Sequence, residues 1–176
     1  MKYILMCEGK NELTVLNLLL GHDKLIITPN ELLGLVPYQA RQLDKSPQIL
    51  GMMNIYTEDV IIYRIGDKMT DELRIPKQIK KRVIREEKYC TLPELEILLI
   101  ISEGKYNEYI KQKSKITPKK FAKMYIKCNR MRYDNSSLFY EKYYQDIDKL
   151  VQAIQQYSVL HKTHKKDEHY LIELLK

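Results

Sequence analysis

The sequence predicts an α/β fold in which a parallel sheet is flanked by helices and followed by a helical, basic C-terminal part. Three observations carry this. The apolar runs YILMC at 3–7 and DVIIYRI at 59–65 stop abruptly at Glu8-Gly9 and Gly66-Asp67, as buried strands feeding turns do. Helix-like stretches separate the short apolar runs, and that alternation favours parallel pairing with helices on the sheet faces. From about residue 76 onward the pattern turns helical and increasingly basic.

In chain order, residues 3–7 form the first expected strand. Asn11 is expected to cap the next helix, whose apolar face is LTVLNLLL up to Gly21. Residues 25–28 read as a second short strand ended by Pro29. Residues 30–58 are mixed, with QILGMMNI as a helix. Residues 59–65, rich in β-branched side chains, are the strongest strand. Pro93 opens PELEILLIIS, with proline in a first helical turn where its missing N–H does no harm. Residues 105–113, 118–126, 136–144 and 147–160 follow as amphipathic helices, the last carrying Ile147, Leu150, Val151 and Ile154 at helical spacing. EHYLIELLK closes the chain as a short helix. An α/β core over 1–105 and a basic helical extension packed on it over 106–176 are therefore expected.

With 176 residues, 44% of them hydrophobic, the chain can bury one compact core. No segment approaches the roughly 20 uninterrupted apolar residues of a membrane span, so no membrane partner is expected. Only Lys2 precedes the first apolar run and acids follow at once, which does not read as a signal peptide. Cys7, Cys90 and Cys128 stand alone without a CxxC pair, and lone thiols suit a reducing cytoplasm. Cys7 reads as a core residue.

The formal charge of +7 is unevenly spread. Residues 1–60 carry five Lys/Arg against seven Asp/Glu, whereas residues 105–132 carry ten Lys/Arg and the single acid Glu108. The candidate nucleic-acid contacts are Lys111, Lys113, Lys115, Lys119, Lys120, Lys123, Lys127, Arg130 and Arg132, with Lys10 beside the first acids. Cations displace counterions from phosphates, and the interleaved tyrosines can stack on unpaired bases. A solvated helix face in a Lys- and Tyr-rich chain is the competing account.

The acids are the sharper signal. Glu8 follows the first strand and Asp67 the strongest later one. In an open parallel sheet the carboxyl ends of the strands line one crevice, where such folds bind ligands. Glu12 lies one helical turn beyond Glu8, and Asp71 and Glu72 follow Asp67 in the same loop. Carboxylates brought together repel unless a cation sits among them, and oxygen-only donors suit Mg or Mn. Glu8 and Glu12 could equally be acids at a helix N-terminus. Glu94 reads as a first-turn helix acid, while Glu96, followed by a wholly apolar turn, stays open between the two roles. HKTHKKDEHY at 161–170 holds three histidines, but its lysines and spacing match no standard zinc pattern. No GxxxxGK[ST], GxGxxG or GxSxG motif is present.

YILMCEGKNE resembles the first motif of the TOPRIM domain, a strand followed by Glu-Gly, and VIIYRIGDKMTDE resembles its second, an apolar strand ending in Asp. PELEILLIIS is similar to the Pro-x-x-Glu-x-x-Leu-Leu helix of RloB-like and OLD-type TOPRIM nucleases. The resemblance covers about the first 105 residues. It implies a TOPRIM-like fold, with Glu8 as general acid/base, Asp67 as a ligand of a divalent metal, and Glu12 and Glu96 as supporting acids. The second motif is normally Asp-x-Asp, but here it reads Asp67-Lys68-Met69. Asp71, with Glu8 and Asp67, is then the candidate to complete the metal set. The expected function is a divergent metal-dependent nuclease of DNA or structured RNA, of the kind that serves bacterial defence. The alternative is a non-catalytic nucleic-acid- or protein-binding factor on a TOPRIM-like scaffold, such as a mobile-element inhibitor of a host nuclease (anti-restriction or anti-CRISPR). Homo-oligomerisation stays open under both.

Overall fold

The computed structural model describes residues 1–67, 70, 72–161 and 168–176. Its strands are β1 (Lys2–Cys7), β2 (Tyr38–Gln39), β3 (Val60–Gly66), β4 (Val83–Cys90), β5 (Lys127–Cys128), β6 (Met131–Arg132) and β7 (Glu168–Tyr170). Five of them make one all-parallel sheet in the order β2-β1-β3-β4-β7, and β5 and β6 form a separate antiparallel ribbon. The helices are α1 (Lys10–Gly21), α2 (Pro47–Ile55), α3 (Ile97–Ser102), α4 (Tyr106–Ile110), α5 (Pro118–Tyr125), α6 (Ser137–Tyr143) and α7 (Ile147–Leu160). None of the described helices is long and apolar enough to cross a membrane.

β1 from Ile4 onward and the whole of β3 are buried because both sheet faces are covered, and successive side chains alternate between them; Arg64 is the charged residue within β3. Ile4, Met6, Val60 and Ile62 pack on one side with Ile49 and Met53 of α2. Leu5, Cys7, Ile61 and Ile65 pack on the other with Val15 and Leu19 of α1, Leu98 of α3, Phe139 of α6 and Leu150 of α7. That second core also takes in Leu171 and Leu174, so residues from both ends of the chain share it. Four rings cross the sheet in a row, Tyr3, Tyr63, Tyr89 and His169, with neighbouring centroids 5.2–5.3 Å apart.

Several elements depart from the sequence expectation. Residues 25–28 form no strand. Leu25 makes one isolated bridge to Leu175, and Thr28 instead caps a 3-10 turn over Pro29–Glu31, its N–H and hydroxyl both bonding the Glu31 carboxylate. Proline cannot donate to a ladder, and the capping box gives the backbone a local alternative. β4 went unread because VIREEKYC carries four consecutive charges. It is held by full pairing to β3 and by pairs such as Arg64 Nη1–Glu86 Oε1 at 2.7 Å. The helix after Pro93 begins only at Ile97. The chain end is not a helix: residues 168–170 join the sheet as β7 beside β4, and Leu171–Leu174 make a 3-10 turn. The histidine-rich stretch falls largely on residues 162–167, outside those described.

One feature of the topology positions the site. From β1 the chain crosses by α1 to β2 on one side, then returns by α2 to β3 on the other. The strand order therefore reverses between β1 and β3, which makes the crevice beyond their carboxyl ends the switch point where open α/β sheets take ligands.

Candidate active site at the strand ends

β1 ends at Cys7, paired with Ile65, so Glu8 and Asp67 leave neighbouring strands at the same edge. α1 starts directly behind. Gly9 is its N-cap, not Asn11, and Asn11 lies within the first turn. A hollow of about 400 Å³ is lined by Glu8, Gly9, Lys10, Asn11, Glu12, Asp67, Lys119 and Asn135. The two strand-end acids and the first-turn acid thus share one hollow, as the sequence suggested.

Gly9 leaves room for the Glu12 side chain. The Glu12 side chain folds back over it, and a Cβ at position 9 would run into the Glu12 carboxylate. Burial raises the Glu12 carboxyl above its usual proton affinity, and Asp67, Glu96 and Glu8 push it further, against a hydrogen bond from its own backbone. Glu12 is therefore within electrostatic reach of the other three acids. The same surroundings bear on Cys7, whose thiol is pushed up to about 12 by burial, then by Glu12 and Glu8. It is a protonated core residue at neutral pH.

Glu96 approaches from the start of α3 and is only 3% exposed. Tyr133, just after β6, donates to its Oε1 at 2.6 Å, and Lys119 Nζ stands 3.6 Å from the same oxygen. Burial and the adjacent Glu96 hold the Tyr133 phenol strongly protonated, so it acts as a fixed donor. Glu94 serves elsewhere. Its Oε2 accepts the Lys119 N–H at 2.9 Å and so satisfies a free backbone donor at the start of α5. Asn11 Nδ2 donates to Asn135 Oδ1 at 3.0 Å and ties the front of α1 to the turn before α6. On the opposite side Arg41 Nε lies 3.9 Å from Glu8 Oε1.

Of the basic candidates, Lys10 and Lys119 line the hollow. Lys111, Lys113, Lys115, Lys120, Lys123, Lys127, Arg130 and Arg132 are exposed along the segment from the end of α4 to β6. Asp71, the candidate third metal ligand, lies outside the described residues, as do Lys68 and Met69. Among the described residues no three His, Cys, Asp or Glu side chains form a ready metal cage. Tyr133, Asn135 and Arg41 were not foreseen at the site. Nothing local marks them, since Tyr133 is 37 residues from Glu96 and Asn135 is 124 from Asn11. Comparison with protein-family models, with curated proteins and with solved structures finds no match for this chain.

Proposed function

We propose that this chain is a divergent TOPRIM-like, metal-dependent nuclease acting on DNA or structured RNA, of the kind used in bacterial defence. The observation that carries the reading is the meeting of Glu8, Glu12 and Asp67 in one hollow at the switch point of the sheet, with Glu96 within electrostatic reach. Their donors are carboxylate oxygens; burial first and then the neighbouring acids raise the Glu12 proton affinity, and a hard cation would relieve the part due to the acids. Magnesium needs only one or two protein carboxylates, taking waters and substrate phosphates for the rest. Glu8 and Asp67 would hold it, and when bound it neutralises charge developing on a phosphodiester.

The chain's own groups have separate tasks. Glu8 takes the proton-transfer role that the family resemblance implies. Glu12, whose carboxyl is shifted toward neutral pH, suits it as a partner in moving that proton. Tyr133 and Lys119 hold the buried Glu96 in place. Lys10 and Lys119, with the exposed cations beyond α5, neutralise flanking phosphates. Glu8→Gln is expected to abolish magnesium-dependent cleavage while leaving nucleic-acid binding nearly intact; cleavage that continues unchanged refutes the assignment.

A second reading rests on the sequence after Asp67, where Lys68-Met69 stand in place of a second aspartate. In that reading the chain is a non-catalytic factor that binds nucleic acid or a host nuclease. Neutralising the lysines between 111 and 127 then abolishes function, and Glu8→Gln does not.

A further inference from the structure

A groove of about 1040 Å³ runs beside the carboxylate hollow, and its lining includes Arg41, Gln42, Lys45, Glu72 and Arg74. Arg41 joins the two concavities, because it lines the groove while its Nε stands 3.9 Å from Glu8. Three cations face one acid in that lining. Arg74 is steadied by Asp44, Nε to Oδ2 at 2.9 Å. The floor is fixed by the buried Gln42, whose amide donates to the Glu72 carbonyl at 3.2 Å and accepts from the Arg74 N–H at 2.8 Å. Gln39 and Gln48 are exposed, and both also line a neighbouring hollow of about 620 Å³ walled by Leu13, Val36, Pro37 and Met52.

Cations, then exposed amides, then an apolar recess repeat the chemistry of one nucleotide: phosphate, polar base edge, base face. We infer that this groove holds a single unpaired nucleic-acid strand beside the carboxylates. Its phosphates lie against Arg41 and Lys45, and one base enters the hollow between Leu13 and Met52 with Gln39 and Gln48 at its edge. The inference deepens the nucleic-acid reading of the carboxylate hollow and rests on it for the choice of polymer. A duplex keeps its bases stacked inside and offers such a surface only its backbone, which would leave the recess unused. Lys119, from the basic segment at 105–132, lines the carboxylate hollow with Glu8 and Asp67, so a strand reaching from Arg41 to Lys119 meets those acids.

The test is fluorescence anisotropy in EDTA with a short labelled single strand, the same strand with one abasic position, and a blunt duplex. The single strand should bind about tenfold more tightly than the duplex, and the best-placed abasic substitution should weaken binding by about tenfold. Arg41→Gln/Lys45→Gln should lower the slope of log K against log salt by about 1.4, for two single-strand phosphates released. Val36→Glu, at an exposed position, should weaken the intact strand and erase the abasic difference. Unfolding curves matching the parent's show that both variants are folded. Equal binding of duplex and single strand, an unchanged salt slope in the double variant, or no nucleic-acid binding at all overturns the inference. A strand held with these properties but never cut when magnesium is supplied overturns the nuclease reading and leaves the groove standing. Cleavage with an unchanged slope does the reverse.

Discussion

Tyr133→Phe isolates the contact that holds Glu96 in place. The substitution removes one hydroxyl and keeps the ring, which packs edge-on against Phe139 at 5.2 Å and Tyr140 at 6.0 Å. What is lost is chiefly a 2.6 Å bond to a carboxylate that is 3% exposed, together with longer contacts to Asn135 Oδ1 at 3.0 Å and the Tyr140 hydroxyl at 3.5 Å. A hydrogen bond to a charged group contributes about 1.5–3 kcal/mol, and its loss leaves a buried acceptor under-satisfied. Lys119 does not substitute for it: its Nζ is 3.6 Å away, its side chain is 43% exposed, and such pairs contribute about 1 kcal/mol or less. A loss of about 2 kcal/mol is therefore expected, which for a domain of this length lowers Tm by about 4–8 °C. Urea unfolding of the single variants, of Glu96→Gln and of the double variant closes the cycle. In the Glu96→Gln background the acceptor is neutral, so the cost of Tyr133→Phe should fall by about half. An equal cost in both backgrounds refutes the reasoning, because the hydroxyl would then act through Asn135 or Tyr140 and not through the carboxylate. Lys119→Met should cost less than Tyr133→Phe; the reverse order would mean that charge compensation dominates.

Other expectations follow from the same hollow. The Glu12 carboxyl is raised by folding above its usual 4.5, so the folded state binds its proton more tightly; that stabilisation is complete below about 4.5 and is lost as pH rises through the folded value. Glu12→Gln should therefore raise Tm at pH 7.5, and the gain should vanish on acidification; a gain constant across pH contradicts the shift. Gly9→Ala should leave far-UV circular dichroism unchanged but displace the Glu12 carboxylate, so its pH–stability profile should approach that of Glu12→Gln. Manganese should raise the Tm of the parent protein, corresponding to about 2.7 kcal/mol at a hundred times Kd, and should not raise that of Asp67→Asn; calorimetric titration reads the same difference. Iodoacetamide at pH 8 should label Cys128 in the native protein and spare the buried Cys7 and Cys90, as mass spectrometry of the peptides will report.

The legible parts of this chain are those where local pattern and tertiary environment agree. β1 and β3 could be read because a strand covered on both faces is apolar at nearly every position, Arg64 with its Glu86 partner being the exception in β3. α7 matched its expected bounds because Ile147, Leu150 and Ile154 turn one stripe toward a core. β4 could not be read that way. Arg85 pairs with Glu87 inside the strand, but Glu86 depends on Arg64 of β3, which no window centred on VIREEKYC contains. β7 failed for a related reason. Three residues carry no periodicity, and their pairing depends on β4, some eighty positions earlier.

The site divides along the same line. The nearness of Glu8 and Asp67 was legible because a topological rule turns two separate strand ends into one place. Glu12 followed from helical spacing. Glu94 and Glu96, two residues apart in one stretch, show where the rule stops. Glu94 accepts a backbone N–H from α5, and Glu96 turns inward to Tyr133 and Lys119. Nothing in Pro-Glu-Leu-Glu separates these fates. They are decided by the chain from α5 to Tyr133, most of which the sequence marked only for its charge. That stretch brings Lys119 to the carboxylates and Tyr133 to Glu96 while leaving Lys120, Lys123 and Lys127 exposed beside them. One piece of chain thus both completes the acid cluster and carries cations at its rim, so a substitution in α5 that shifts Lys119 should change substrate binding and the acid site together.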